Sequence, residues 1–230
     1  MSKNLYMEKI GEKAKLASQH LSNLNIDKRN SVLKQFSQYL GIYSQLILDS
    51  NKKDISNAKF KKIKDSMIDR LKLNNKKIAQ MRNSIEEIIR FKDPIGKTLS
   101  SWKRPNGLII KRVSIPIGVI GVIYESRPNV TSDVSTLCFK AGNVAILRGG
   151  SEAFHSNKIL AKLFKRALKK KKCDENCVQF IESKDRNHVD YLLSSMKNYV
   201  DVIIPRGGKS LVKKVLKKSS IAIIGHYEGL

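Results

Sequence analysis

The residues best suited to chemistry follow four short apolar segments, each at the point where a strand is expected to end. The sequence ESRPN (125–129) follows IGVIGVIY, and RGG (148–150) follows VAIL. In the same way, PRGG (205–208) follows VDVII, and GHYE (225–228) follows IAII. Carboxyl ends of parallel strands meet at one edge of a sheet, where ligands bind in α/β proteins. These four exits are therefore the candidate functional residues.

Two of the exits combine an arginine with a pair of glycines, at Arg148 and at Arg206. Glycine lets the backbone approach a phosphate closely, and a helix that follows it adds N–H donors and a positive dipole end. A single such pair is also typical of an ordinary tight turn beside a solvated arginine. Two pairs at one sheet edge favour a phosphate-bearing ligand. The sequence contains no G-x-G-x-x-G fingerprint, which argues against an ordinary Rossmann dehydrogenase.

The second half of the chain, residues 107–230, must position these exits, and there strands and helices alternate. The predicted strands are Gly107–Val113, Ile117–Tyr124, Val144–Leu147, Cys177–Ile181, Val200–Ile204 and Ile221–Ile224. The predicted helices are Val130–Lys140, Ala153–Lys172, Asn187–Met196 and Gly208–Lys218. Alternation with short loops predicts an α/β fold with a doubly wound, mostly parallel, Rossmann-like sheet.

The first part of the chain, residues 1–92, has helical spacing instead. Asp27 is expected to cap a helix that places Val32 to Ile47 on one apolar face. A later helix is predicted over Asn74–Phe91, and the sequence Asp93-Pro94-Ile95-Gly96 ends it. We therefore expect a helical lead-in followed by the α/β core.

The chain is strongly basic, with 45 Lys and Arg against 20 Asp and Glu, a formal net charge of +25. Such an excess can indicate a nucleic-acid-binding protein. Here 34 of the basic residues are lysines and 11 are arginines, spread along the whole chain. Arginine is the residue that base and phosphate recognition favours. We therefore expect no specific nucleic-acid partner, and we attribute the charge to an AT-rich coding bias.

Other bulk features favour a cytoplasmic protein. No run of 18 or more apolar residues is present, and the N-terminus lacks the apolar stretch of a signal peptide. The three cysteines, Cys138, Cys173 and Cys177, form neither a disulfide framework nor a metal-site spacing. No metal site is expected, and His20, His155 and His188 are interpreted as surface residues.

The segment VSIPIGVIGVIYESRPNVTSDVSTLCFKAGNVAILRGGSEAFHSN resembles the signature region of the gamma-glutamyl phosphate reductase family, within the aldehyde dehydrogenase superfamily. ILDSNKKDISNAK, MIDRLKL, FKDPIGK, VDVIIPRGGKSL and IAIIGHYEG agree with the same family in the same order. The resemblance runs from about residue 27 to the end and corresponds to the N-terminal, cofactor-binding part of the family.

This resemblance implies a reaction: reduction of gamma-glutamyl phosphate by NADPH to glutamate-5-semialdehyde and phosphate, in proline biosynthesis. In the family a cysteine thiolate displaces phosphate to form a thioester, and hydride transfer then releases the aldehyde. The acyl oxygen becomes an oxyanion in both steps and needs preorganised donors. The resemblance also implies a homo-oligomer for full-length members.

Two residues receive polar roles by the same resemblance. Asn129, in RPNV, is expected to donate its amide to the oxyanion; the alternative is that it only caps the following helix. Glu228, in HYEG, resembles the superfamily glutamate that activates water, a role that a reduction does not need; the alternative is that it is a solvated loop residue. Arg127 is open to two interpretations, binding of a substrate carboxylate or phosphate, or an ion pair within its loop.

By the same resemblance, the arginine–glycine exits are expected to bind the cofactor. Arg148, followed by Gly149 and Gly150, lies where the superfamily usually has a lysine near the adenosine ribose, and an arginine there suits the 2′-phosphate of NADP. Gly207 and Gly208 match the glycine-rich turn near the cofactor phosphates.

The nucleophilic cysteine of the family is expected in a separate domain downstream of GHYEG. This sequence ends at Leu230, and none of its cysteines has the family's catalytic context. The chain is thus expected to be a fragment of a longer gene, or a truncated, inactive NADP-binding product.

Overall fold

A computed structural model describes residues 4–225. The chain starts with five helices, which occupy most of the region before residue 91. They are α1 Leu5–Ser22, α2 Ile26–Ile42, α3 Ser44–Phe60, α4 Asp65–Leu71 and α5 Asn75–Arg90. The predicted helical lead-in is present, and the helix expected over Asn74–Phe91 is α5.

Asparagine side chains, which accept from the free N–H groups of a first turn, cap three of these helices, α1, α2 and α5. The Asn25 side chain accepts from the Lys28 N–H, so the prediction that Asp27 caps α2 is wrong. Asp27 instead lies in the first turn, where a carboxylate favours the helix dipole. The apolar face predicted to run through Ile47 is divided between α2 and α3, because the helix breaks at Tyr43.

A two-stranded antiparallel hairpin follows, formed by β1 Thr98–Lys103 and β2 Ile109–Val113. The predicted strand over Gly107–Val113 is therefore present, but it pairs with β1 and does not join the parallel sheet. Gly107 has φ of +87° in the connecting turn, a conformation that favours glycine. Most of the hairpin's side chains are exposed.

The parallel sheet has the spatial order β5-β4-β3-β6. Its strands are β3 Val119–Tyr124, β4 Val144–Arg148, β5 Val178–Phe180 and β6 Val202–Arg206. Ile223 adds an isolated parallel bridge to Ile203 beyond β6. All residues of β3 and β4 are buried, which fits the near-continuous apolar runs of central parallel strands.

The connecting helices lie between these strands in sequence: α6 Asn129–Lys140, α7 Phe154–Lys170, α8 Asn187–Ser194 and α9 Lys209–Lys218. α6 and α7 pack on the sheet with α2, α3 and α5 outside them, while α1 packs on β3, β4 and β5 with α8 beside it. One cluster of buried apolar side chains joins the early helices to the sheet.

The strand order creates a switch point between β3 and β6. From β3 the chain moves outward through β4 to β5, and then returns to place β6 on the other side of β3. Loops that leave β3 and β6 at their carboxyl ends consequently diverge and form a crevice, where ligands bind in open α/β sheets.

Candidate functional site

Arg148 ends β4 as a buried side chain, with 6% of its surface exposed. Its Nη1 donates to the carbonyl oxygen of Gly149, and its Nε is buried without a hydrogen-bond partner among the described residues. Burial lowers the pKa of Arg148, and the charge of Glu152 acts in the opposite direction. A guanidinium with an unused donor is thus held at the sheet edge.

Gly149 and Gly150 make room for neighbouring side chains. A β-carbon at position 149 would overlap the Asn157 side-chain amide, and one at position 150 would lie 2.6 Å from Oε2 of Glu152. Asn157 in turn belongs to a buried chain of hydrogen bonds with Thr131 and Tyr124. The glycine pair therefore lets the turn after β4 close tightly against the helices behind it.

The turn after β6 carries a carboxylate contact that sequence reasoning missed. The Gly208 N–H donates to Oε2 of Glu125 over 3.1 Å, which places the carboxylate at the N-terminus of α9. A β-carbon at Gly207 would lie 2.6 Å from Cδ of Glu125, whereas Gly208 has space around it. In the switch-point crevice, the Glu125 carboxylate thus lies at the N-terminus of a helix, a position that also suits a phosphate.

Asn129 is the first residue of α6, and its side-chain amide donates to Oδ2 of Asp133 over 3.1 Å. Burial raises the pKa of Asp133, while the bond from Asn129 and the charge of Arg206 act against this rise. Asn129 makes no capping hydrogen bond among the described residues. Its side-chain amide instead donates to a residue one turn further along α6.

A pocket of about 440 Å³ opens beside Asn129. Its lining comes from α4, α5 and the start of α6, and includes Arg127 and Asp133. The structure thus brings Asn129 and Arg127 together in one pocket, whereas Arg148 and Gly150 lie at the next strand exit. Glu228 falls outside the described residues.

The cysteines are poorly placed to act as nucleophiles. Burial raises the pKa of Cys138 and of Cys177 to about 12 each. Cys173 is half-buried, and burial raises its pKa as well. Since the thiolate is the reactive form, all three thiols are protonated and weakly nucleophilic near neutral pH.

The remaining expectations concern metals, histidines and membranes. Within residues 4–225, no group of three His, Cys, Asp or Glu side chains could hold a metal ion. His20 is exposed, while His155 and His188 are partly buried. None of the helices described is long and apolar enough to cross a membrane.

Curated relatives share close sequence similarity with the chain. It is 42% identical over 224 residues to the gamma-glutamyl phosphate reductase of Bartonella henselae, a match that covers 97% of this chain and 54% of the relative. The same enzyme of Bacillus anthracis is 42% identical over 214 residues, covering 93% and 51% respectively. The chain spans about half the length of the curated relatives it matches. No family model matches it.

Solved structures agree with this match. The gamma-glutamyl phosphate reductase of Thermotoga maritima superposes with a TM-score of 0.92 at 38% identity, over 94% of this chain and 52% of that one. The Saccharomyces cerevisiae enzyme gives 0.89 at 30% identity, over 97% and 56%. A probable aldehyde dehydrogenase from Listeria monocytogenes, at 14% identity and a TM-score of 0.72, shares the fold. The chain is therefore homologous to the N-terminal part of the gamma-glutamyl phosphate reductases and has an aldehyde dehydrogenase fold.

Proposed function

We propose that this chain is the cofactor-binding part of an enzyme that reduces gamma-glutamyl phosphate to glutamate-5-semialdehyde and phosphate, a step of proline biosynthesis. The observation that carries the proposal is the 42% identity to enzymes of that name along 97% of the chain. Its geometric support is the cluster of polar and glycine-rich strand exits at one edge of a parallel sheet. For the complete enzyme we also propose a homo-oligomer.

A nicotinamide cofactor follows from the dehydrogenase and reductase relatives, and we assign it as NADP. When bound, the cofactor supplies the hydride. Arg148 suits the 2′-phosphate because its buried guanidinium has a donor, Nε, without a partner among residues 4–225. Gly207 and Gly208 suit the phosphates, since Gly208 is the N-cap residue of α9 and its N–H already donates to a carboxylate oxygen, that of Glu125. Gly149 and Gly150 shape the turn that carries Arg148.

Asn129 is assigned to the oxyanion. Its amide lies at the start of α6, so that the helix N-terminus adds a positive dipole end to the same place. In the structure this amide donates to Asp133, and it must turn from that carboxylate to reach a substrate oxygen. We propose that Glu228 corresponds to the water-activating glutamate of the superfamily, and that the reduction does not use it as a base.

The nucleophile is assigned to a residue other than the three cysteines of this chain. Thioester formation needs a thiolate, and burial keeps Cys138 and Cys177 protonated. The chain's share of the chemistry is then to bind the cofactor and to hold the oxyanion donor. Its free thiols suit a reducing compartment, and we propose the cytoplasm.

Arg148→Ala tests the cofactor assignment. Removing one charge-assisted hydrogen bond, worth about 1.5–3 kcal/mol, should weaken NADPH binding about 10- to 100-fold. NADH lacks the 2′-phosphate, so its affinity should hardly change. Calorimetric titration of the purified chain with each cofactor measures both.

Arg112→Ala is the matched control, because Arg112 is an exposed arginine on the separate hairpin. Arg148→Lys keeps the charge, and thermal melting of both Arg148 variants checks that the buried site still folds. Equal losses for NADPH and NADH would show that the assigned role is wrong.

A further inference from the structure

The pocket beside Asn129 contains charges that no assigned role uses. It lies between α4, α5 and the start of α6 and measures about 440 Å³. Arg70 and Arg127 contribute cations to it, and Asp133 contributes a carboxylate. Met81 is the buried apolar residue of the lining. A pocket for a simple apolar aldehyde would not need charges of both signs.

The cationic part of this pocket is free to bind an anion. Arg70 and Arg127 are both exposed, and neither forms a salt bridge within the part of the chain that the structure describes. A guanidinium recognises a carboxylate with two parallel hydrogen bonds. Lys77 also lines the pocket, but its ammonium donates to the carbonyl oxygen of Lys72 over 2.6 Å. The two arginines are therefore the groups of the lining that can bind a carboxylate with two parallel hydrogen bonds.

Two carboxylates line the pocket, and Asp133 is the one that we consider, because Asp69 pairs with Lys72 over 2.7 Å. Oδ2 of Asp133 accepts from the Asn129 amide over 3.1 Å, so its carboxylate lies directly beside the proposed oxyanion donor. Asp133 is partly buried, which raises its pKa, and the charge of Arg206 acts against this rise; a bound cation would add to that compensation. A bound ammonium group would supply that charge. Because an ammonium group has no acceptor, it would not take a hydrogen bond from the Asn129 amide.

We propose that Arg127 and Asp133, with Arg70, recognise the α-carboxylate and α-ammonium groups of the glutamyl substrate and determine specificity for an amino-acid acyl phosphate. The proposal rests on the proposed function, because it assigns a position to that reaction's substrate. A pocket lined by charges of both signs matches a zwitterion and rejects uncharged aldehydes. Asn129 then lies close to the substrate whose oxyanion it is proposed to hold.

The test uses three small probes that differ in one charged group each. L-glutamate carries both α groups, glutarate lacks the amine, and 4-aminobutyrate lacks the α-carboxylate. Calorimetric titration of the purified 230-residue chain should give L-glutamate an affinity about tenfold or more above that of either other probe. No L-glutamate binding up to about 10 mM, above the usual range of KM values, would overturn the proposal.

The variants locate the preference. Arg127→Ala should remove the advantage of L-glutamate over 4-aminobutyrate, and Asp133→Asn should remove its advantage over glutarate. Arg112→Ala, an exposed arginine on the hairpin, should change neither. A preference that both pocket variants retain would place recognition elsewhere and contradict the assignment.

NADPH titration of the same samples separates the two proposals. Each pocket variant should bind NADPH like the unmodified chain, which also shows that it is folded. If the unmodified chain binds NADPH but does not discriminate the three probes, the pocket assignment fails alone. If it discriminates the probes but does not bind NADPH, the proposed cofactor function fails and the pocket assignment is retained.

Discussion

Arg148 differs most from an ordinary surface arginine, because its guanidinium is buried and one of its nitrogens has no partner among the described residues. Burying a charge without full pairing costs free energy, so such a group is commonly retained for a ligand. Glu125, which follows β3, is an exposed acid, and its carboxylate has a partner, because it accepts from the Gly208 N–H. A phosphate entering that turn must replace Glu125, and this contact is a cost of cofactor binding.

Which site residues the sequence predicts depends on where their partners lie. Arg148, Asn129, Gly207 and Gly208 lie in the segments that follow strand runs, so the sequence alone is enough to make them candidates. Glu125 contacts a residue 83 positions away, and no local pattern reports this distance along the chain. Asp133 likewise reads as an ordinary helical acid until the fold places it against the pocket.

Thiol reactivity tests the residue-scale environment of the cysteines. Burial raises the pKa of Cys138 and of Cys177 to about 12, so near pH 8 both remain protonated and should resist alkylation. Cys173 is half-buried and should react first. Iodoacetamide labelling followed by mass-spectrometric mapping measures each rate, with denatured chain as the control. Rapid alkylation of Cys138 in the folded chain would contradict its assignment as a buried, inert thiol.

At the scale of elements, the start of α7 depends on a carboxylate from another helix. Asp54 of α3 accepts from the His155 N–H over 3.0 Å and from the Ser156 N–H over 2.8 Å. The Ser156 hydroxyl donates to the same carboxylate over 2.7 Å. The helix has no side-chain cap at its own N-cap position, Ala153, so Asp54 replaces one. The segment ILDSNKKDISNAK therefore has a structural role.

Asp54→Ala should destabilise the chain by about 1–3 kcal/mol, because it leaves buried N–H groups of α7 without an acceptor. Asp49→Ala on the same helix is the control. Asp49 is half-exposed, and its contacts with Lys52 and with the Gln45 amide are both on the surface, so its removal should change the free energy of unfolding by less than about 0.5 kcal/mol. Urea unfolding measures both variants, and equal losses would refute the cross-helix cap.

The elements that sequence reasoning recovered are those with one strong hydrophobic period. The alternation from β3 to α9 is present, since buried strands and amphipathic helices both follow apolar patterns. β1 was missed because all six of its residues are exposed and no alternation marks the strand. The break at Tyr43 was missed because the apolar spacing of α2 continues into α3.

At the scale of the whole molecule, the charge of +25 is the property least explained by the proposed function. Several cations are used structurally: buried Arg29 pairs with Asp93, and Lys140 donates to Asn30 and to the Ile89 carbonyl oxygen. Most lysines lie on exposed surface instead. A dispersed positive surface attracts any polyanion through counterion release, without base recognition.

Binding to DNA should accordingly be weak, indifferent to sequence and steeply reduced by salt. Fluorescence anisotropy with two unrelated duplexes, measured at low and at physiological salt, checks all three properties. A single-stranded RNA of the same length as the duplexes is measured as a control. Tight binding to one sequence at physiological salt would overturn the metabolic account.

Turnover is the measurement that tests the central claim most directly. The reverse reaction, phosphate-dependent reduction of NADP with glutamate-5-semialdehyde, is assayed with the purified chain and with the remaining half of a gamma-glutamyl phosphate reductase added. We predict no turnover by the chain alone, because each of its thiols is raised in pKa by burial, and turnover once the other half supplies a thiolate. Turnover by the chain alone that is lost on substituting Cys138, Cys173 or Cys177 would contradict the account.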